Sequence, residues 1–225
     1  MKISKHTAMA ATLALVFCAA SAHAQFKLPG GLGGSSSSSS DDGGDAVAAQ
    51  DSLVKSFVSS QSEVLAAQVL LAKAYDLNDQ VALLEAQQKA LQSGAVDQDA
   101  LKKTVEISSN ANREISAQQA QKSELSAQGK QYYEESLPHF AKGVAGTRVM
   151  VGEAQKFTAA VKSSANGGLA GAGAAMTKLK AGMYVAKETP SYSKSLFDTF
   201  KKTVSISKSN GVKVPSDATQ ALGDL

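Results

Sequence analysis

From residue 46 onward, apolar residues recur every three or four positions with polar residues between them, the period of helices lying on a core. In "AVAAQDSLVKSFVSSQSEVLAAQVLLAKAY", Val54, Phe57, Val58, Val64, Leu65, Leu71 and Tyr75 fall on one side. Asp45 stands where a side chain accepts the first free backbone N–H groups of a helix. The pattern loosens over "DLND" (Asp76 to Asp79), resumes with Val81, Leu84 and Leu91, and stops at Gly94. This predicts one long first helix with a bend near residues 76–79.

A second long helix is predicted from Asp97 or Asp99, its cap, to the residue before Pro138. Its best seam on a seven-residue repeat is Leu101, Thr104, Ser108, Ala111, Ile115, Gln118, Lys122, Leu125, Gly129 and Tyr132. Half of that seam is polar, so residues 101–132 read as a contact region, either for a partner or for self-association as a coiled coil. A third helix, to about Ala165, is expected to bury Phe140, Val144, Val151, Phe157 and Val161. A fourth carries Met176, Leu179, Met183 and Tyr184 up to a break at Pro190, and a fifth carries Leu196, Phe197, Phe200 and Val204. Asn210-Gly211 closes the fifth in the left-handed manner.

No convincing period-two run competes with these helices. The fold class expected is therefore all-α, an elongated antiparallel helical bundle with long first and second helices. Its domain spans residues 46–211, followed by a C-terminal tail over 212–225 with at most one frayed turn.

The ends change the picture more than the middle does. Lys2 and Lys5 precede the apolar run Ala8 to Ala20, which is shorter than a membrane span, and "SAHA" then offers a peptidase site after Ala24. Residues 1–24 read as a cleaved signal peptide, and the protein as exported, to the periplasm or beyond the cell. Phe17 stands where a lipoprotein signal has a small residue, which argues against lipid attachment at Cys18. Residues 25–45, "QFKLPGGLGGSSSSSSDDGGD", read as a disordered Gly/Ser-rich leader in which "FKLPGGL" is a candidate docking epitope.

Cleavage at Ala24 takes two of the 23 basic side chains and none of the 20 acidic ones, so a net charge of +3 falls to +1. Arg113 and Arg148 are the only arginines. A nearly neutral chain with so few guanidinium forks has no means of gripping a polyanion, so no nucleic-acid partner is expected.

The catalytic inventory is equally thin. After cleavage there is no cysteine, and His139 is the one histidine, placed by Pro138 at a helix start. Soft metal sites need several thiolates or imidazoles. Ser191-x-x-Lys194 stands without the other parts of a serine-lysine site. Tyr132 and Tyr133 stand beside Glu134 and Glu135, but adjacent helical carboxylates diverge by about 100°. Asp76, Asn78, Asp79 and Glu85 lack the turn glycine of a calcium loop. "GVAGTR" (Gly143 to Arg148) lacks the end of a phosphate loop. No residue is assigned as catalytic, cofactor-binding or metal-ligating, and no cofactor is expected.

"NGGLAGAGAAM", residues 166–176, holds four glycines and four alanines in eleven positions. At about 1 kcal/mol per glycine relative to alanine the segment disfavours helix, which makes it a joint. Gly167, Gly171 and Ala175 alternatively form a small-residue packing stripe, and Leu169 to Val185 a membrane-active element. The reading that results is a non-enzymatic exported bundle acting by protein contact, as scaffold, adaptor or chaperone-like binder. A membrane-active protein and a binder of a small molecule between helices are the alternatives.

Overall fold

The computed structural model describes residues 42–93, 96–121, 124–166 and 177–225. Six helices account for most of them: α1 (Asp42–Ala74), α2 (Asn78–Ser93), α3 (Gln98–Ala120), α4 (Ala127–Asn166), α5 (Lys180–Ser209) and α6 (Ser216–Gly223). Among the described residues there is no strand. The all-α helical bundle expected from the sequence is what the chain forms. The Gly/Ala segment lies outside the described residues from 167 to 176, as do the signal and leader segments up to residue 41.

The central element is α1, which packs against α2, α3, α4 and α5. Its sequence explains why. Leu53, Phe57, Val64, Leu65, Ala67, Leu71 and Ala72 are all buried, a set too wide for a single stripe. Contacts fix the directions: Gln87 meets Thr104, Gln68 meets Ser108, and Ser60 meets Gly143. Together with Ala74 against Gly129, Gln50 on Gly182, Gln61 on Tyr192, Lys73 on Glu85 and Leu101 in the cluster of Phe57, these make sequential helices antiparallel, so α1, α3 and α5 run one way and α2 and α4 the other.

The expected bend at residues 76–79 is instead a full reversal, and the predicted long first helix is a hairpin of two. Asp76 takes φ 55°, the left-handed region. The Leu77 N–H bonds to the Ala72 carbonyl at 2.9 Å and the Asp76 N–H to that of Lys73 at 3.3 Å. These are the two bonds of a Schellman terminator, and Leu77 and Ala72 join the same apolar cluster, the contact that accompanies it. The second such terminator falls where the sequence places it, at Gly211 (φ 67°), with Val212 N–H on the Ser207 carbonyl at 2.8 Å.

Both proline boundaries are overturned. Pro138 lies inside α4 and Pro190 inside α5. A proline within a helix costs about 3 kcal/mol. Around Pro138, however, Tyr133, Leu137, Phe140 and Val144 are fully buried. Each such side chain contributes about 1.5–3 kcal/mol, so packing outweighs the lost bond. Around Pro190 the Thr189 hydroxyl bonds to the Val185 carbonyl at 2.7 Å and the Ser193 hydroxyl to that of Thr189 at 2.7 Å.

The predicted second helix breaks earlier, between Ala120 and Ala127, where the Ser126 hydroxyl accepts the Gly129 N–H at 2.9 Å and caps α4. At its other end Asp97, not Asp99, is the cap, accepting from Ala100 N–H at 2.8 Å. α1 starts at Asp42, three residues before the expected cap Asp45. Residues 216–223, expected in the tail, form α6, whose Ala218 is buried in the main cluster while Arg148 reaches Asp224 at 3.2 Å.

α1 and α4 approach closely at Ser60 and Gly143. A Cβ on Gly143 would lie 2.6 Å from Val64 Cγ2. The Ser60 hydroxyl donates to the Gly143 carbonyl at 2.8 Å and lies 2.7 Å from Thr147 Oγ1. Gly152, on the same helix, has nothing within 4 Å of such a Cβ. Gly143→Ala is therefore expected to lose about 1–2 kcal/mol, the overpacking cost less the helix gain, and Gly152→Ala to gain up to about 1 kcal/mol. Denaturant unfolding of the two variants checks the opposite signs.

Tyr75 and Tyr133 meet edge-on with ring centroids 6.2 Å apart. Burial raises the Tyr75 pKa from 10.0 to about 12, against a smaller lowering by its hydrogen bond to Tyr133. Burial pushes Tyr133 up as well. Their folded pKa values exceed the unfolded value, so the stability they contribute is whole below pH 10 and is lost as pH rises towards 12. Phenolate absorbance and helix content should change together in that window, and Tyr75→Phe should move the transition to higher pH.

Candidate functional site

The residues singled out for chemistry are dispersed or already engaged. His139 sits within α4 rather than at a helix start, with Nδ1 2.7 Å from a Glu63 carboxylate oxygen and its side chain 40% exposed. Ser191 donates to the Glu188 carbonyl at 3.0 Å, whereas Lys194 pairs with Asp198 at 2.6 Å, a hydrogen bond that raises the ammonium pKa. The two are not brought together. Glu85 is 2.8 Å from Lys73 instead of joining Asp76 and Asp79. Tyr133 turns into the core and donates to the Thr203 carbonyl at 3.2 Å, while Glu135 faces outward and accepts from Gln131 at 3.0 Å. "GVAGTR" serves the α1–α4 approach at Gly143. Among the described residues no three His, Cys, Asp or Glu side chains gather to hold a metal. No described helix is long and apolar enough to cross a membrane.

The sparse seam of α3 faces the bundle itself. Leu101, Thr104, Ser108, Ala111 and Ile115 are buried as the heptad pattern predicts, with Gln119 in place of Gln118. Its polar members are matched from within. Gln87 Nε2 donates to the Thr104 hydroxyl at 2.8 Å, and Gln68 Nε2 to the Ser108 carbonyl at 3.0 Å, the Ser108 hydroxyl at 2.9 Å and Asn112 Oδ1 at 2.8 Å. The polar character that suggested an outside partner is thus met by glutamines of α1 and α2.

Among the openings on the described body, two have contrasting chemistry. The larger, about 400 Å³, is a groove between α4 and α5 walled by Val151, Ala154, Thr158, Ala159, Ala186 and Pro190. It is mainly apolar, and its short side chains let another backbone come close. Lys162 also lines it, Lys187 follows Ala186, and neither forms an ion pair among the described residues. Val149 and Met183, on the same two helices, are among the few large apolar side chains left exposed.

The second opening, about 250 Å³, lies between α3 and α5 with Val64 of α1 in its lining. α3 supplies Ser108, Ser109 and Asn112, and α5 supplies Glu188, Tyr192 and Ser195. The Tyr192 ring packs on Phe57 with centroids 6.1 Å apart, and its hydroxyl donates to Gln61 Oε1 at 2.8 Å. Burial raises the pKa of that phenol, which stays neutral. Sequence reasoning assigned no role to this set. Its members come from three helices, and the one signal, buried glutamines at 61 and 68, emerges only once α1 is known to be enclosed. Compared with protein-family models, with curated proteins and with solved structures, the chain has no match.

Proposed function

We propose that this is an exported, non-enzymatic binding protein of the bacterial envelope, with the periplasm as its first compartment, that works by protein contact. Export rests on the signal-like residues 1–24, and the non-enzymatic reading on a processed chain with no cysteine and a single histidine. The observation that carries the contact reading is the apolar groove between α4 and α5.

Its occupant in this reading is one amphipathic helix of a partner protein, acidic on the flank that meets Lys162 and Lys187. Short side chains on the walls suit a helix laid along them, and Lys162 in the lining with Lys187 on its flank, neither in an ion pair among the described residues, suit carboxylates on its edge. Apolar burial supplies affinity, and the lysines set orientation and encounter rate. A scaffold, an adaptor and a chaperone-like binder would all use such a seat.

A photo-activatable residue at Ala159 in the groove, with Lys89 on α2 as a distant exposed control, tests this in the exporting cell. An adduct is expected at position 159 and not at 89, with a captured protein that carries an acidic amphipathic helix. Lys162→Glu combined with Lys187→Glu should reduce the yield about fivefold, the size expected for two rim charges. Equal adducts at both positions, none at either, or a yield indifferent to charge reversal would each sink the reading.

A further inference from the structure

The opening between α3 and α5 has a different chemistry from the groove. About half of its wall is hydroxyl and amide: Ser108, Ser109 and Asn112 on one side, Ser191 and Ser195 on the other. Apolar surface enters through Val64, Val105, Leu196 and the ring of Tyr192. Its one charged lining residue is Glu188, which forms no ion pair among the described residues. No cation lines it, so it is unsuited to an anion.

A second observation comes from behind the wall. Gln61 and Gln68 flank Val64 on α1 at spacings of three and four, and therefore share its face. Both are fully buried, at 0% exposure. Each holds lining residues in place, Gln61 through Tyr192 and Gln68 through Ser108 and Asn112. Each also keeps one buried amide atom without a partner, Nε2 of Gln61 and Oε1 of Gln68. The Ser108 carbonyl can only accept, which fixes the Gln68 amide orientation. Either orientation of Gln61 leaves one atom unmatched. A buried polar atom left unpaired costs about 1–3 kcal/mol. Neither glutamine lines the opening itself, and their part is to hold Tyr192, Ser108 and Asn112 in place behind it.

We propose that this cleft binds a single sugar unit bearing an amine, a hexosamine. The volume, about 250 Å³, lies below the usual range of pockets for drug-sized ligands and is on the scale of one sugar ring rather than of a chain. A pyranose has a hydroxyl rim and an apolar C–H face. The serines and Asn112 match the first, and Tyr192, Leu196 and Val64 match the second. The ammonium goes to the Glu188 carboxylate, the one charge present.

Calorimetric titration of the full chain with glucosamine, glucose and glucuronate at neutral pH tests the assignment. Saturable glucosamine binding is expected, with glucose about tenfold weaker and glucuronate undetectable. Glu188→Gln should bring glucosamine down to the affinity of glucose and leave glucose unchanged. Ser195→Phe, at an exposed position on the wall, should abolish both while thermal unfolding stays as in the parent chain. Three results would overturn the proposal: no binding of either amine-bearing or neutral sugar, binding that survives Ser195→Phe, or glucosamine affinity indifferent to Glu188→Gln. These readouts do not involve the α4–α5 groove, so the fate of the contact reading leaves them unaffected.

Discussion

The bundle is organised around the close approach of α1 and α4 at Ser60 and Gly143. Without a side chain at 143, the two backbones come near enough for the Ser60 hydroxyl to reach a helical carbonyl at 2.8 Å. Val64 then sits where a Cβ would otherwise be, 2.6 Å from that point. Everything else on α1 is spaced from this contact. One turn towards its C-terminus begins the cluster holding Leu71, Tyr133, Phe140 and Phe200, and towards its N-terminus the one holding Leu53, Phe57, Met150 and Phe157. A second glycine, Gly182, repeats the device, with Phe157 2.9 Å from where its Cβ would be. Close packing between the described helices is thus set by isolated glycines within helices.

Packing of this kind explains which parts of the fold were legible. Helical periodicity located most of the buried faces: Phe57, Val64, Leu84, Leu101, Phe140, Phe157 and Phe200 are all in the core, whereas Val151 and Val161 are half-buried and Met183 is exposed. Boundaries were less readable, because punctuation residues compete with packing. Pro138 and Pro190 read as stops on local chemistry alone, yet large apolar side chains on both sides of Pro138 outweigh the single bond it removes. Conversely, Asp76 terminates α1 in a left-handed conformation that a glycine adopts more easily, so the turn looked like a bend. Gly211, where residue type and conformation agree, was read correctly.

The openings were less legible still, for a geometric reason. The wall of the polar cleft draws on residues 64, 105–112 and 188–196, which no local spacing relates. α3's half-polar seam was visible, but polarity within a stripe has two physical meanings. It marks a surface facing water or a buried face whose partners are also polar, and the sequence of one helix does not separate them. Gln68 and Gln87 decide the matter here, because amides with donors and acceptors on one group can satisfy serine and threonine across an interface. The polar positions Thr104, Ser108 and Gln119, within the region that read as a contact surface, belong to a buried hydrogen-bonding lattice.

Such a lattice constrains where binding can occur. A bundle whose inner layers are joined by directed bonds has fewer ways to repack than one filled by aliphatic side chains, since shifting a helix by one residue breaks several bonds at once. Ser60 with Thr147, Gln61 with Tyr192, Gln68 with Ser108, Gln87 with Thr104 and Gln119 with Tyr133 fix the register of all five long helices. Clefts between helices so held are preformed, and a guest does not have to order them. The same rigidity makes an unmatched atom informative. Among the described residues four buried side-chain atoms lack a partner, on Gln61, Gln68, Gln119 and Thr203, and those of Gln61 and Gln68 stand on either side of one cleft-lining residue, Val64. A lattice able to satisfy Gln87 with a single threonine could have closed that gap by the same means. Instead the helices part there, α3 and α5 turn hydroxyls and one carboxylate towards the space, and the register bonds hold it open.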